Sequence, residues 1–246
     1  MNRKDVEHSA QSIGTCYHCK GKFTKEEMAV HLQTHHRLSD LIVQETGERL
    51  GTQRVYHILV EGRYLPQYWL YLTARTRTAL HRIDDVLRYL WLECCGHLSK
   101  FEIQGVEFVS FDPRDDPYPG DEKLRRMTVR LDEVLRPGLT FYHEYDFGTT
   151  TELTLTVLTE RTAIKVRDPI RMEARNDPPD WHCAVCGKPA TRVCSICISE
   201  PDADAWYCGD VECGEKHSCI DDYWLPVTNS PRVGMCGYTG WVRDEE

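Results

Sequence analysis

Three stretches decide how this chain is read: Arg54-Val-Tyr-His-Ile-Leu-Val60, Tyr68-Trp-Leu-Tyr-Leu-Thr73, and Thr76-Arg-Thr-Ala-Leu-His-Arg-Ile-Asp-Asp-Val-Leu-Arg-Tyr-Leu-Trp-Leu-Glu-Cys-Cys95. The first two are rich in β-branched and aromatic residues, which suit a pleated, half-buried surface, and they read as strands. In the third, Leu80, Ile83, Leu87, Leu90, Trp91 and Cys94 recur at spacings of three and four. That spacing predicts a helix over Thr76–Cys95 with one apolar face, and Gly96 follows as its stop. Phe101 to Val109 returns to strand with a kink expected at Gly105. An acidic, proline-broken loop covers Asp112 to Glu122. Leu131 to Leu135 reads as a short helix closed by Pro137-Gly138, and Leu139–Phe147 and Glu152–Glu160 read as two closing strands. Strands around one long helix, without regular β-α-β alternation, predict an α+β fold. Its centre is a mixed or antiparallel sheet with one long helix, flanked by small zinc-binding modules.

The modules rest on cysteine spacing. Cys183-x2-Cys186, Cys194-x2-Cys197, Cys208-x4-Cys213 and His217-x-Cys219 follow one another closely, with Cys236 beyond them. Zinc takes four thiolate or imidazole ligands in a tetrahedron, and a Cys-x2-Cys turn offers two thiolates to one metal. The segment is also poor in large apolar residues, so metal binding is expected to supply its folding free energy. Disulfides are the competing reading. The chain opens MNRKDVEHSAQ, without a signal-peptide core, and holds no apolar stretch long enough to span a membrane. A cytoplasmic location, where thiols stay reduced or metal-bound, is therefore expected.

A second module is expected at the N-terminus. Cys16-x2-Cys19 precedes Phe23, Met28, His31, His35 and His36. The pattern resembles a two-Cys, two-His finger, with His31 and His35 (or His36) one helical turn apart and facing the metal. Thr24 with Glu26 and Glu27 marks the helix start. Three units follow: a finger over 1–40, a central α+β domain over 41–180 and a cysteine-rich two-zinc module over 181–246. The polar stretch Arg175-Asn-Asp-Pro-Pro-Asp180 marks the second boundary.

Charge narrows the partners. The formal net charge is −9, and residues 181–246 carry five basic against eleven acidic side chains. Such a surface repels phosphate backbones and anionic membranes. A single near-neutral finger reads DNA poorly, because several are normally strung along the groove.

The central segment has a family likeness. Trp91-Leu-Glu-Cys-Cys-Gly-His-Leu-Ser99 with Phe101-Glu-Ile103, and Phe141-Tyr-His-Glu-Tyr-Asp-Phe-Gly148, resemble the signatures of the plasmid pRiA4b open-reading-frame-three family. Leu225-Pro-Val-Thr-Asn-Ser-Pro-Arg-Val-Gly-Met-Cys-Gly-Tyr238 resembles the tail of its cysteine-rich members. The resemblance covers roughly residues 54–241 and implies an α+β domain found in bacteria, archaea and mobile elements. Many members continue Gly148 with Asp, Trp and His, whereas this chain reads Thr149-Thr-Thr-Glu-Leu153. The cysteine-rich tail further resembles MYND-type cross-braced modules, whose ligand pairs alternate between two metals. That likeness implies Cys183, Cys186, Cys208 and Cys213 on one zinc. It implies Cys194, Cys197, His217 and Cys219, or Cys236, on the other.

Candidate sites outside the modules read blandly. Cys94 and Cys95 beside His97 suggest a nucleophile, but a helix C-terminus disfavours a thiolate, so core packing is expected. Tyr142, Tyr145 and Asp146 could line a pocket, with Tyr142, Glu144 and Asp146 on one strand face and Phe141, His143, Tyr145 and Phe147 on the other. Asp146 could equally cap the turn at Gly148. The resulting expectation is a non-enzymatic zinc-bearing interaction protein with a protein partner, no membrane, and about three zinc ions at four ligands each. Two rivals are a nucleic-acid-binding accessory protein of a plasmid or mobile element, and an enzyme with a pocket near Tyr145 and Asp146.

Overall fold

The computed structural model describes residues 12–36, 51–111, 124–200, 203–219 and 223–240. The expected acidic loop Asp112–Glu122 and most of the first domain boundary lie outside them. Strand β1 (Ile13–Cys16) and β2 (Lys22–Thr24) lead into helix α1 over residues 25–36. Then come β3 (Thr52–Gly62), β4 (Trp69–Arg75), helix α2 (His81–Leu87) and a π-helical turn at Arg88–Leu92. Strands β5 (Ser99–Ile103), β6 (Val106–Val109) and β7 (Leu124–Arg126) precede helix α3 (Leu131–Val134). The long strands β8 (Thr140–Tyr145), β9 (Thr151–Ile164) and β10 (Ile170–Asn176) complete a ten-stranded sheet. Its order is β2-β1-β10-β4-β3-β9-β8-β5-β6-β7. The β6–β7 pair is parallel and the other pairs are antiparallel. A separate three-stranded sheet, β12 (Trp206–Tyr207), β11 (Arg192–Cys194) and β13 (Trp224–Pro226), lies in the C-terminal segment with helix α4 (Val211–Gly214).

This corrects the expected α+β class. The sheet dominates, and Thr76–Cys95 is not one long helix. Thr76 and Thr78 are buried in the turn after β4, where Thr76 N–H bonds the Arg54 carbonyl and Leu80 N–H bonds the Val129 carbonyl. Tertiary hydrogen bonds to neighbouring chain outweigh local periodicity there, and β-branched threonines carry little helix propensity to resist them. At the other end Glu93 N–H bonds the Arg88 carbonyl, a five-residue step, and Glu93 itself is extended (φ −66°, ψ 124°). The apolar spacing of Leu80, Ile83, Leu87 and Trp91 is real, since all four are fully buried, but a helix of seven residues and a wider turn deliver it. The kink expected at Gly105 is a complete reversal: Gln104 and Gly105 both have positive φ (53° and 77°), the geometry of a tight hairpin joining β5 to β6.

Strand β4 shows why the sheet is covered on both faces. Tyr68, Leu70, Leu72 and Ala74 join the main core with Ile58, Val60, Ile83, Leu87 and Trp91. The alternate residues Trp69 and Tyr71 pack with Met28 and Leu32 of α1, and with Ala174. Successive side chains of a strand point to opposite faces, so β4 is apolar throughout because each face has its own cover. The C-terminal segment shares the main core through Val193, Ala205 and Val233.

Leu70 has no exposed surface, whereas Val30 on the outer side of α1 is 66% exposed. Leu70→Ala should lower unfolding free energy by about 2–5 kcal/mol. Val30→Ala should change it by no more than about 0.5 kcal/mol. Urea titration followed by circular dichroism measures both, and comparable losses would contradict the two-faced packing.

Candidate metal centres

The finger segment builds its site from a strand end and a helix. Cys16 ends β1, and the turn returns through Lys20 N–H to the Cys16 carbonyl (2.8 Å), with Lys20 at φ 63°. Gly21 N–H points at the Cys19 sulfur, 3.4 Å away. Thr24 and Glu27 make a reciprocal capping box: the Thr24 hydroxyl accepts from Glu27 N–H and the Glu27 carboxylate accepts from Thr24 N–H (3.3 and 3.0 Å). That cap fixes the phase of α1, so His31 and His35 face the cysteine turn. Cys19 Sγ lies 3.2 Å from His31 Nε2, and His31 Nε2 lies 3.1 Å from His35 Nε2. Cys16, Cys19, His31 and His35 form one group whose ligand atoms all fall within 4.8 Å of one another.

His36 goes elsewhere. Its Nε2 lies 2.8 Å from Glu173, His57 Nδ1 lies 3.3 Å from the same carboxylate, and Thr73 donates to the carboxylate's other oxygen. Glu173 sits where the β10–β4 register shifts between Met172 and Ala174, and such a bulge re-aims one side chain. All three ionisable groups are buried. Burial pushes the Glu173 carboxyl up, but the hydrogen bond with His36, the close His57 imidazole and the charges of both hold it far below the ordinary 4.5. Burial holds His57 below its ordinary 6.5.

In the C-terminal segment Cys183, Cys186, Cys208 and Cys213 form a second group, and Cys194, Cys197, His217 and Cys219 a third. Within the second, Gly187 at φ 71° closes the Cys183–Cys186 turn, and Cys186 Sγ lies 3.7 Å from Cys208 Sγ. Cys213 comes from α4. Lys188 clamps the rim through Asp210 at 2.9 Å. Within the third, Cys194 ends β11, Cys197 N–H points at the Cys194 sulfur (3.5 Å), and Cys197 Sγ lies 3.2 Å from His217 Nε2. Tyr207 and Trp224 wall the His217 ring at centroid distances of 4.9 and 4.5 Å.

The electrostatics of these groups is compatible with a cation. Burial would raise the Cys183 thiol, yet backbone N–H groups of Cys208, Cys186 and Val185 bring it down to about 6. Burial and the neighbouring thiols push Cys213 and Cys197 up to about 12. One thiolate is thus welcomed and the next repelled, a conflict that a divalent ion among the sulfurs removes. Each group could hold a metal ion.

A fourth group was not expected from the sequence. Cys94, Cys95 and His97 meet Cys236 with the same closeness of ligand atoms. Sequence reasoning placed Cys94 and Cys95 at a helix end and in the core. Glu93 is in fact extended and Cys95 is exposed, while Cys94 is half-buried and packs against the main core as expected. The available signal was the Cys-Cys-x-His spacing, together with Cys236, which the sequence offered only as the alternative to Cys219.

Asp146 closes a turn and pairs with an arginine. It takes φ 65°, accepts Gly148 and Thr149 N–H (3.1 and 3.2 Å), and binds buried Arg232 at 2.7 Å. That left-handed residue ends the strand's alternation, so Phe147 is exposed rather than packed beside Tyr145. A groove of about 520 Å³ lies nearby, lined by His81, Asp85, Arg88, His97, Ser110 and Arg126 among others, but not by Tyr145 or Asp146.

No family model matches the chain, and no curated protein matches it. Among solved structures, a protein of unknown function from Methanosarcina mazei Go1 aligns at 14% identity. It covers 50% of this chain and 69% of its own, with a TM-score of 0.42.

Glu173 and His57 make the fold acid-sensitive with one sign. The unfolded chain protonates His57 below about 6.5 and Glu173 below about 4.5 while the folded chain resists both, so stability is full above these values and falls below them. Melting temperature should decline from pH 7 to pH 4. Glu173→Gln should melt lower at pH 7 yet show a flatter decline below pH 5. Calorimetry across that range measures it, and an unchanged acid slope in the variant would remove Glu173 from the explanation.

Proposed function

We propose that this chain is a zinc-bearing, non-enzymatic interaction protein, and that zinc is the metal of its Cys/His groups. The carrying observation is that each of the four cysteine-containing groups offers four protein ligand atoms within 4.8 Å, whereas the buried His36, His57 and Glu173 cluster offers three and is read as an ion-pair network. A closed set of four leaves no position for an activated water, which a catalytic zinc needs. Thiolate and imidazole donors are those zinc prefers. The Cys186–Cys208 sulfur separation of 3.7 Å matches the roughly 3.8 Å edge of a tetrahedron with zinc–sulfur bonds of about 2.3 Å. The acidic C-terminal module favours a protein partner over a phosphate backbone.

Membership of the pRiA4b open-reading-frame-three family is part of this reading. Its support is that the three stretches carrying the resemblance meet in space. The Ser230 hydroxyl donates to the Trp91 carbonyl (2.6 Å), Arg232 binds Asp146, and Cys236 Sγ lies 3.2 Å from His97 Nε2.

Protein purified without added metal should carry at least about three zinc ions per chain by elemental analysis, at four ligands per ion. Cys186→Ser should lose at least one and weaken the far-ultraviolet couplet of the stacked Trp181–Trp206 pair, whose rings lie 4.0 Å apart. A content near one, or disulfides among residues 183–219, would overturn the zinc assignment. Copurifying nucleic acid released by salt would overturn the choice of partner.

A further inference from the structure

We infer that Cys94, Cys95, His97 and Cys236 form a fourth metal site, of Cys₃His composition and suited to zinc, that fastens the C-terminal tail to the central sheet. The inference extends the zinc reading above to a site built from two distant parts of the chain.

Proximity is the first argument. The four ligand atoms lie within 4.8 Å of one another, and His97 Nε2 stands 3.2 Å from Cys236 Sγ. The second argument is the inventory. The chain has twelve cysteines, and with this group included every one belongs to a four-ligand set. Core packing does not explain the cluster, because Cys95 is exposed and the other three residues are only partly covered.

Backbone shape is the third argument. In the two Cys-x2-Cys turns that open the finger and the C-terminal module, the residue after the second cysteine is left-handed: Lys20 at φ 63° and Gly187 at φ 71°. The fourth group repeats that device twice, with Gly96 at φ 73° after Cys95 and Gly237 at φ 70° after Cys236. Cys236 itself takes φ 45°, a costly conformation for a residue with a β-carbon, and such outliers gather at functional sites.

Supporting contacts hold the ligands in place before any metal arrives. Glu93 accepts from Gly96 N–H (2.6 Å) and from the Tyr145 hydroxyl (3.0 Å). That hydroxyl in turn lies 3.4 and 3.3 Å from Cys94 N and His97 N. Arg232 Nη2 donates to Cys94 Sγ at 3.4 Å, placing a fixed positive charge beside three thiolates and one divalent ion. Asp146 Oδ2 lies 3.5 Å from His97 Nε2, so a carboxylate also stands at the edge of the group. Binding Zn²⁺ releases the thiol protons to solvent and changes no oxidation state.

The test uses the full-length chain and zinc itself. Wild type should carry about four zinc ions, by four ligands per ion, and both Cys95→Ala and Cys236→Ser about one fewer. Cys95 is exposed, so its alanine variant should keep the far-ultraviolet spectrum of wild type. Cobalt replacement offers a second readout: three of the twelve thiolates serve this site, so the sulfur-to-cobalt absorbance should fall by about a quarter in Cys95→Ala. Zinc content and cobalt absorbance equal to wild type in both variants would overturn the inference. A disulfide within Cys94, Cys95 and Cys236 in protein that keeps its other zinc ions would do the same. Cys186→Ser reports on the C-terminal module separately, so the two readings can fail independently.

Discussion

Two-sided burial of β4 is the constraint on which the rest of the molecule depends. A strand apolar on both faces must be covered twice, and the described residues offer little helix for the task. One face receives α2 and the π-helical turn, which bring Ile83, Leu87 and Trp91. The other receives α1, which brings Met28 and Leu32 against Trp69 and Tyr71. At about 12 residues α1 is too short to be stable alone. Its ligand residues His31 and His35, and the adjacent His36–Glu173 contact, tie its C-terminal half to the sheet it covers. Metal ligation at that group would address the same shortage as core packing, from a different direction.

Arg232 plays the matching part at the opposite end of the chain. It has no exposed surface, and its guanidinium binds Asp146, the Thr149 carbonyl, the Thr151 hydroxyl and the Cys94 sulfur. The Tyr145 ring lies 4.8 Å from it. A buried cation needs partners for its charge, which Nη1 and Nη2 find here while Nε makes no hydrogen bond, and removing one partner typically costs about 3–5 kcal/mol. This one gathers the ends of β8 and β9, the loop after the π-helical turn, and the tail. Asp146 therefore does more than close a turn: its positive φ lets one carboxylate cap Gly148 and Thr149 while facing Arg232.

What could be read from residues alone follows interaction range. Strands were legible at Arg54–Val60 and Tyr68–Thr73 because propensity and burial agree there. The Cys-x2-Cys turns and the Thr24–Glu27 cap were legible because their partners lie within a few residues. The helix over Thr76–Cys95 was not, because buried threonines and bonds to Arg54 and Val129 act across long separations. Glu173 gave no signal, since its role needs a bulge and histidines more than a hundred residues away in sequence. Cys94, Cys95 and His97 were visible, but their meaning depends on Cys236, which follows them by about 140 residues.

The expectation for Cys94 and Cys95 holds only in part: Cys94 packs against the main core, but neither residue ends a helix. A thiolate at a helix C-terminus faces converging carbonyl dipoles, and that argument is sound where the helix exists. Here the last helical hydrogen bond is the five-residue step from Glu93 to Arg88, and the chain turns away before either cysteine. The Cys94 sulfur then meets a guanidinium instead of a row of carbonyls. The helix-dipole argument against a Cys94 thiolate therefore falls away, while the neighbouring Cys94 and Cys236 sulfurs still push the Cys95 thiol up to about 11. A dipole argument is therefore only as good as the element boundary beneath it, and the π-helical turn moves this boundary by just enough residues to change the chemistry.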